Sequence, residues 1–152
     1  MTRPGIANAV GAVARQAHDP TERHWRAVRN VITCLNKTKD LELVFIKGGY
    51  LTLSVYVDVD YDIKDNDRRS VSGVAVMVGG TVVNASCTTQ HCIALFTSET
   101  GYVAMAQGAK TALFTRAVLD FMQPGLGREI IDLFEDNKGA TAIAENPISG
   151  RA

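Results

Sequence analysis

Two aspartates separated by one residue, in Val57-Asp58-Val59-Asp60-Tyr61, and a third in Phe134-Glu135-Asp136-Asn137 are the residues of this chain best suited to chemistry. On an extended strand Asp58 and Asp60 project from the same face, roughly 6 to 7 Å apart. If the strand that delivers Asp136 lies beside theirs, the three carboxylates converge at one sheet edge. Hard oxygen ligands of high charge density, with positions left for water and phosphate, are what a magnesium centre for phosphodiester hydrolysis requires. Aspartates at strand ends are also ordinary turn formers, and the pattern alone leaves both readings open. The run Asp58-x-Asp60-x-Asp62 opens like an EF-hand calcium loop. Such a loop demands glycine at its sixth position and glutamate at its twelfth, where this chain has Ile63 and Arg69, so that site is not expected.

The elements that must position these acids follow from hydrophobic period. A period of two sets in at Leu41-Glu42-Leu43-Val44-Phe45 and resumes after Gly48-Gly49 over residues 50 to 61. Leu53, Val55, Val57 and Val59 then share one strand face, and Ser54, Tyr56, Asp58 and Asp60 the other. Residues 71 to 78 form a second strand, Gly79-Gly80 a tight hairpin turn, and Thr81-Val82-Val83 the start of a returning strand. A long helix is expected over residues 98 to 121, with an apolar stripe of Tyr102, Met105, Ala106, Ala109, Leu113, Ala117 and Phe121, closed by Pro124-Gly125-Leu126-Gly127. Ile130-Ile131-Asp132-Leu133-Phe134 reads as a strand, and Asn137 as the cap of a short helix through Ala144, ending before Pro147. Ahead of all this, Ile6, Val10, Val13 and Ala14 mark one helix. Trp25, Val28, Val31, Ile32 and Leu35 mark a second after Asp19-Pro20-Thr21, the two forming a hairpin with Arg23, Arg26 and Arg29 outside. The fold class is α/β, a mixed sheet of three antiparallel strands and then a further strand, preceded by a helical hairpin.

With 152 residues, 46% hydrophobic, the chain can bury one sizeable core. Sixteen basic and sixteen acidic residues cancel, which argues against attraction of nucleic acid by bulk charge. Cys34, Cys87 and Cys92 form no CxxC pair, and with His18, His24 and His91 they make no zinc spacing; they are expected as buried or partly buried thiols without chemistry. No secretion signal is recognisable at the start, and no apolar run approaches the 18 or so residues needed to span a membrane, about the minimum for a helix. The chain reads as soluble and without membrane partners.

Several segments, in order, resemble copia-type retrotransposon polyproteins: Thr2-Arg3-Pro4, His24-Trp25-Arg26-Ala27-Val28, Asp67-Arg68-Arg69-Ser70-Val71-Ser72-Gly73, Gln90-His91-Cys92-Ile93-Ala94-Leu95, Ser98-Glu99, Tyr102-Val103-Ala104 and Glu135-Asp136-Asn137-Lys138-Gly139-Ala140. The resemblance spans nearly the whole chain. It implies that residues 1–47 correspond to the end of the reverse transcriptase or connection region, and residues 48–152 to a ribonuclease H-like domain ending before the family's last strand, final helix and fourth acid. It further implies that the strand carrying Asp136 lies parallel to the first, that Asp58, Asp60 and Asp136 are the metal-binding acids, with Asp58 and Asp136 catalytic, and that a glutamate directly precedes Tyr102.

At that place stands Gly101. Glu99 matches only an earlier glutamate of the family pattern, and an acid in the first helical turn is favourable to the helix dipole in any case. Thr88-Thr89 stands where the family carries lysines, and Asn84-Ala85 where it carries tryptophan. Losing one group that stabilises a transition state costs about 3 kcal/mol in barrier, so these departures imply impaired hydrolysis and weak or absent Mg2+ binding. The wording of the motifs also resembles copia-derived proteins of plant-pathogenic oomycetes, some of them secreted effectors of the RXLR class that dampen host cell death. Three functions follow as expectations: a catalytically impaired protein acting by binding an unidentified, for instance host, protein; an active magnesium-dependent ribonuclease H acting on RNA–DNA hybrids; or a retrotransposon fragment without function.

Overall fold

Alternating valines build the sheet. The computed structural model of the protein describes residues 3–47, 51–60, 69–125 and 130–146. Strands β1 (Leu53–Asp60), β2 (Val71–Val78), β3 (Thr81–Thr89) and β4 (Ile131–Glu135) lie in the order β3-β2-β1-β4. β1 pairs antiparallel with β2, β2 antiparallel with β3, and β1 parallel with β4, as the reading of three antiparallel strands followed by a parallel one requires. Gly79 and Gly80 make the β2–β3 turn with φ of 57° and 79°, the left-handed conformations that glycine reaches without steric cost.

One face of the sheet carries the core: Leu53, Val55 and Val57 from β1 and Val74, Val76 and Val78 from β2 are buried. Helix α3 (Thr97–Met122) lies on this face; its buried residues are Thr100, Gly101, Ala104, Gly108 and Ala112, of which Ala104 and Ala112 join the core, Gly108 lies against Val55 and Val57, and Gly101 lies against α4. This corrects the apolar stripe expected from the sequence: Tyr102 is 42% exposed, Leu113 49% and Phe121 89%. Sheet valines already fill the interface, so the helix approaches with its smallest residues, and several of its bulky apolar residues are left outside, while Leu119 still packs against the core. Hydrophobicity selected the wrong face because close packing depends on the summed volume of both partners.

Helices α1 (Ala7–Ala14) and α2 (Glu22–Lys37) form the N-terminal hairpin, and the 3-10 turn Pro4–Ile6 precedes them. Thr21 is the N-cap of α2, and its backbone N–H donates to His24 Nδ1 at 3.1 Å. Arg23, Arg26 and Arg29 are exposed. Both the 3-10 turn and α1 pack against β3. Residues 41–45 form no strand, contrary to their alternation; they are exposed, and Val44 O accepts a hydrogen bond from Thr81 Oγ1. Without an adjacent strand, a period of two stabilises nothing. The cysteines also depart from expectation: Cys34, on a helix with no buried residue, and Cys92, in the loop before α3, are exposed, and only Cys87 is partly buried. Tyr50, Tyr61, Asp62, Ile63, Asp67, Arg68, Leu126, Gly127 and Pro147 lie outside the described residues.

Candidate functional site

β1 and β4 run side by side as far as the pair Val57↔Glu135, so Asp58 and Asp136 are the next residues along two parallel neighbours. Both are exposed, at the same end of the sheet. Two residues back, Tyr56 and Phe134 are register partners, and their rings stack at a centroid distance of 4.9 Å with planes 16° apart. An open cleft of about 300 Å3 is lined by Tyr56, Val57, Asp58, Phe134, Glu135 and Asp136. Asp60 is the last residue of β1, exposed, and does not line this cleft. Of the three acids expected to converge if their strands are neighbours, the sheet brings Asp58 and Asp136 to a common edge and leaves Asp60 beyond it.

Asp58 Oδ1 accepts the N–H of Val59 at 2.9 Å, just past the last β1–β4 pair. That bond satisfies a backbone donor where the ladder stops, a structural use for this carboxylate that needs no ligand. Glu99, in the first turn of α3, accepts the Leu95 N–H on Oε2 at 2.9 Å, and so braces the chain entering the helix. Asn137 is the N-cap of α4 (Lys138–Glu145), its Oδ1 accepting from the N–H groups of Gly139 and Ala140 at 2.9 and 3.1 Å. This is the cap the sequence indicated, and it holds α4 directly behind the acidic edge.

Glu135 is the site residue that sequence reading passed over. It alternates with Ile131 and Leu133, both packed on the core, and so turns toward α3. Its Oε1 accepts the Asn137 N–H at 3.3 Å, while Oε2 is buried without a hydrogen-bond partner. Burial, first of all, pushes its carboxyl above the ordinary value of 4.5; the Asn137 N–H opposes this, and the negative charges of Asp136 and Asp58 add to it. A carboxylate at an inward position of a strand was the available signal.

The sign of the resulting pH dependence is definite. The folded protein holds this proton more tightly than the unfolded chain, so the contribution to stability is fully present below 4.5 and is lost as pH rises through the raised folded value. Glu135→Gln is accordingly expected to match the parent in acid and to exceed it in stability at neutral pH. Urea denaturation across this range checks it; equal stability at neutral pH would refute it.

A second polar cluster underlies the start of α3. Gln90, 4% exposed, donates from Nε2 to Ser72 Oγ and to Thr100 O, each at 2.9 Å, and its backbone N–H donates to Ser70 O at 2.8 Å. β2 and the first turn of α3 are thereby tied together beside the acidic edge.

The resemblance implies a divalent-cation centre that takes one ligand from position 101. As the side chains stand, no group of three or more His, Cys, Asp or Glu among the described residues is placed to hold a metal ion. Gly101 is buried under α4, and a Cβ built there would lie 2.7 Å from Ala140 Cβ and 3.4 Å from Glu135 Oε1. The room from which a helix carboxylate would reach this edge is filled. The chain therefore does not fit a centre with that ligand.

Over 114 residues the chain is 32% identical to secreted RxLR effector protein 161 of Plasmopara viticola, an alignment covering 75% of this chain and 80% of the effector. It is 30% identical over 145 residues to the retrovirus-related Pol polyprotein from transposon TNT 1-94 of Nicotiana tabacum, covering 95% of this chain and 11% of the polyprotein. To the corresponding polyprotein from transposon RE2 of Arabidopsis thaliana it is 28% identical over 148 residues, 97% of this chain and 10% of the polyprotein. It thus spans about a tenth of the polyproteins and most of the effector. No family model matches the chain, and no solved structure matches it significantly. Among the described residues no helix is long and apolar enough to cross a membrane.

Proposed function

Since the chain belongs to the copia-type, retrovirus-related Pol family that also contains an oomycete effector, we propose that it is a retrotransposon-derived, ribonuclease H-like protein that works by binding and does not hydrolyse phosphodiesters. The observation that carries this reading is Gly101. The position that the resemblance assigns to a metal-binding glutamate has no side chain, and Ala140 stands 2.7 Å from where its Cβ would begin. A two-metal mechanism clamps the attacking and the leaving oxygen together, and a missing ligand to either ion undoes it. The partner is a host protein and the role that of an effector, a reading supported by alignment over 80% of a protein so named. Asp58 and Asp136, neighbours at one edge, favour the runner-up, an active magnesium-dependent ribonuclease H.

One assay separates the two. With Mg2+ or Mn2+ and a labelled RNA–DNA hybrid, the purified protein is expected to cleave no faster than its Asp58→Asn variant. Metal-dependent cleavage that D58N abolishes would establish the enzyme and remove the binding-only reading. The effector role is tested by expression in leaf tissue with a cell-death elicitor, where suppression of death is expected and unchanged death rejects it.

A further inference from the structure

α3 covers the inner face of the sheet, whereas the outer face is covered only over β3, where the 3-10 turn and α1 pack. On the part left open, the stacked rings of Tyr56 and Phe134 are 47% and 48% exposed. A second cleft, of about 250 Å3, adjoins the acidic one, and the two share Tyr56, Val57 and Asp58. Small residues make its floor: Asp58 pairs across the sheet with Gly73, Tyr56 with Ala75, and Ala75 in turn with Ala85. A Cβ on Gly73 would meet only the Asp58 carbonyl oxygen, at 3.6 Å. The Asp58 carboxylate and the Tyr56 ring thus have no bulky partner on β2, and Pro4 and Asn8, which line the same cleft, close its far side over β3.

We propose that this double cleft receives an arginine side chain of a partner protein, presented on an extended segment. Among the described residues the two clefts are lined by Asp58, Glu135 and Asp136 and by no basic side chain, so their field favours a cation and opposes phosphate. An ammonium answers the charge alone, whereas a guanidinium also stacks on an aromatic face while its N–H groups pair with a carboxylate. Tyr56 and Asp58, two residues apart on one strand face, offer both. Arg15, at the end of α1, is held on Cys87 Sγ at 3.6 Å and lines neither cleft. From β4 to β3 the face spans three strand spacings, roughly 14 Å, the reach of about four extended residues. The inference rests on the binding reading above and gives its partner a chemical class.

The test is an NMR titration of the isotope-labelled full chain with the pentapeptide acetyl-Ala-Leu-Arg-Leu-Ala-amide, and with the same peptide carrying lysine or citrulline, the neutral isostere, in place of arginine. The arginine peptide is expected to shift the amides of Tyr56, Asp58, Gly73 and Phe134 and to bind about tenfold more tightly than the citrulline peptide, with lysine between them. Tyr56→Leu removes the aromatic face, and Asp58→Asn removes the charge while keeping an acceptor for the Val59 N–H; each should weaken binding about threefold or more. The site is overturned if arginine and citrulline peptides bind alike, if the shifts map to another surface, if nothing binds at about 10 mM, or if single-stranded RNA takes the same residues more tightly than the peptide. The comparison of peptides uses the unaltered protein, so it decides the matter even where a variant fails to fold. Failure of the peptide to bind, with no hybrid cleavage, rejects this site and leaves the binding reading standing. Metal-dependent hybrid cleavage removes the binding-only reading, and the titration still decides the arginine site.

Discussion

Gly108→Leu is expected to destabilise the native fold by about 3 kcal/mol or more. α3 crosses β1 at this residue so closely that even a Cβ would lie 2.8 Å from Val57 Cγ2 and 3.2 Å from Val55 Cγ1. Both valines are buried on the central part of the sheet, at 6% and 0% exposure, and being β-branched they are restricted at χ1 and yield poorly. Glycine inside a helix ordinarily costs about 1 kcal/mol against alanine, so the close approach must return more than this. A leucine would have to lift the helix off β1, separating Ala104 and Ala112 from the valines as well. Overpacking of this kind costs about 3 kcal/mol or more, a large part of the roughly 5–15 kcal/mol that holds a domain folded. Circular dichroism and urea denaturation check this result; a cooperative transition at the parent's midpoint would show that α3 does not sit as described.

Gln90→Ala is expected to cost about 3 kcal/mol, from two lost hydrogen bonds and the cavity left by a long side chain. The partners make the loss severe. Ser72 is wholly buried, and Thr100 likewise, so no water replaces the amide at either. Gln90→Leu should recover part of this, because it fills the volume and removes the amide oxygen that is buried without a partner, yet it leaves the buried Ser72 hydroxyl without that donor. The damage is local in origin: the first turn of α3 loses its tie to β2, and amide exchange there is expected to accelerate more than in β1. Uniform acceleration throughout the chain, or a loss below about 1 kcal/mol, would mean that the network contributes little to anchoring the helix.

Much of the architecture was legible in the chain because it arises from short-range rules. The alternation Leu53, Val55, Val57 against Ser54, Tyr56, Asp58 located β1 and its buried face; Gly79-Gly80 located the hairpin; Asn137 located the start of α4. Each depends on a backbone period or a single hydrogen bond, and neighbours in sequence suffice to specify it. Legibility failed where a second surface entered. The alternation at residues 41–45 pairs with no strand among the described residues, and the exposed apolar residues of α3 misled because its buried face was chosen by the valines beneath it.

The site divides along the same line. Spacing alone put Asp58 and Asp60 on one strand face and Asp136 at the end of another strand, and the family resemblance marked Gly101 as standing where a carboxylate is expected. That β4 lies parallel beside β1, leaving Asp58 and Asp136 adjacent, is a matter of topology. That Glu135 turns inward, and that Ala140 stands 2.7 Å from a Cβ at Gly101, only the packing of α4 against α3 decides. Chain chemistry sets which acids are present, since side-chain identity is local. Whether an acid has room to act is set by elements distant in sequence, because excluded volume is counted over everything that shares the space.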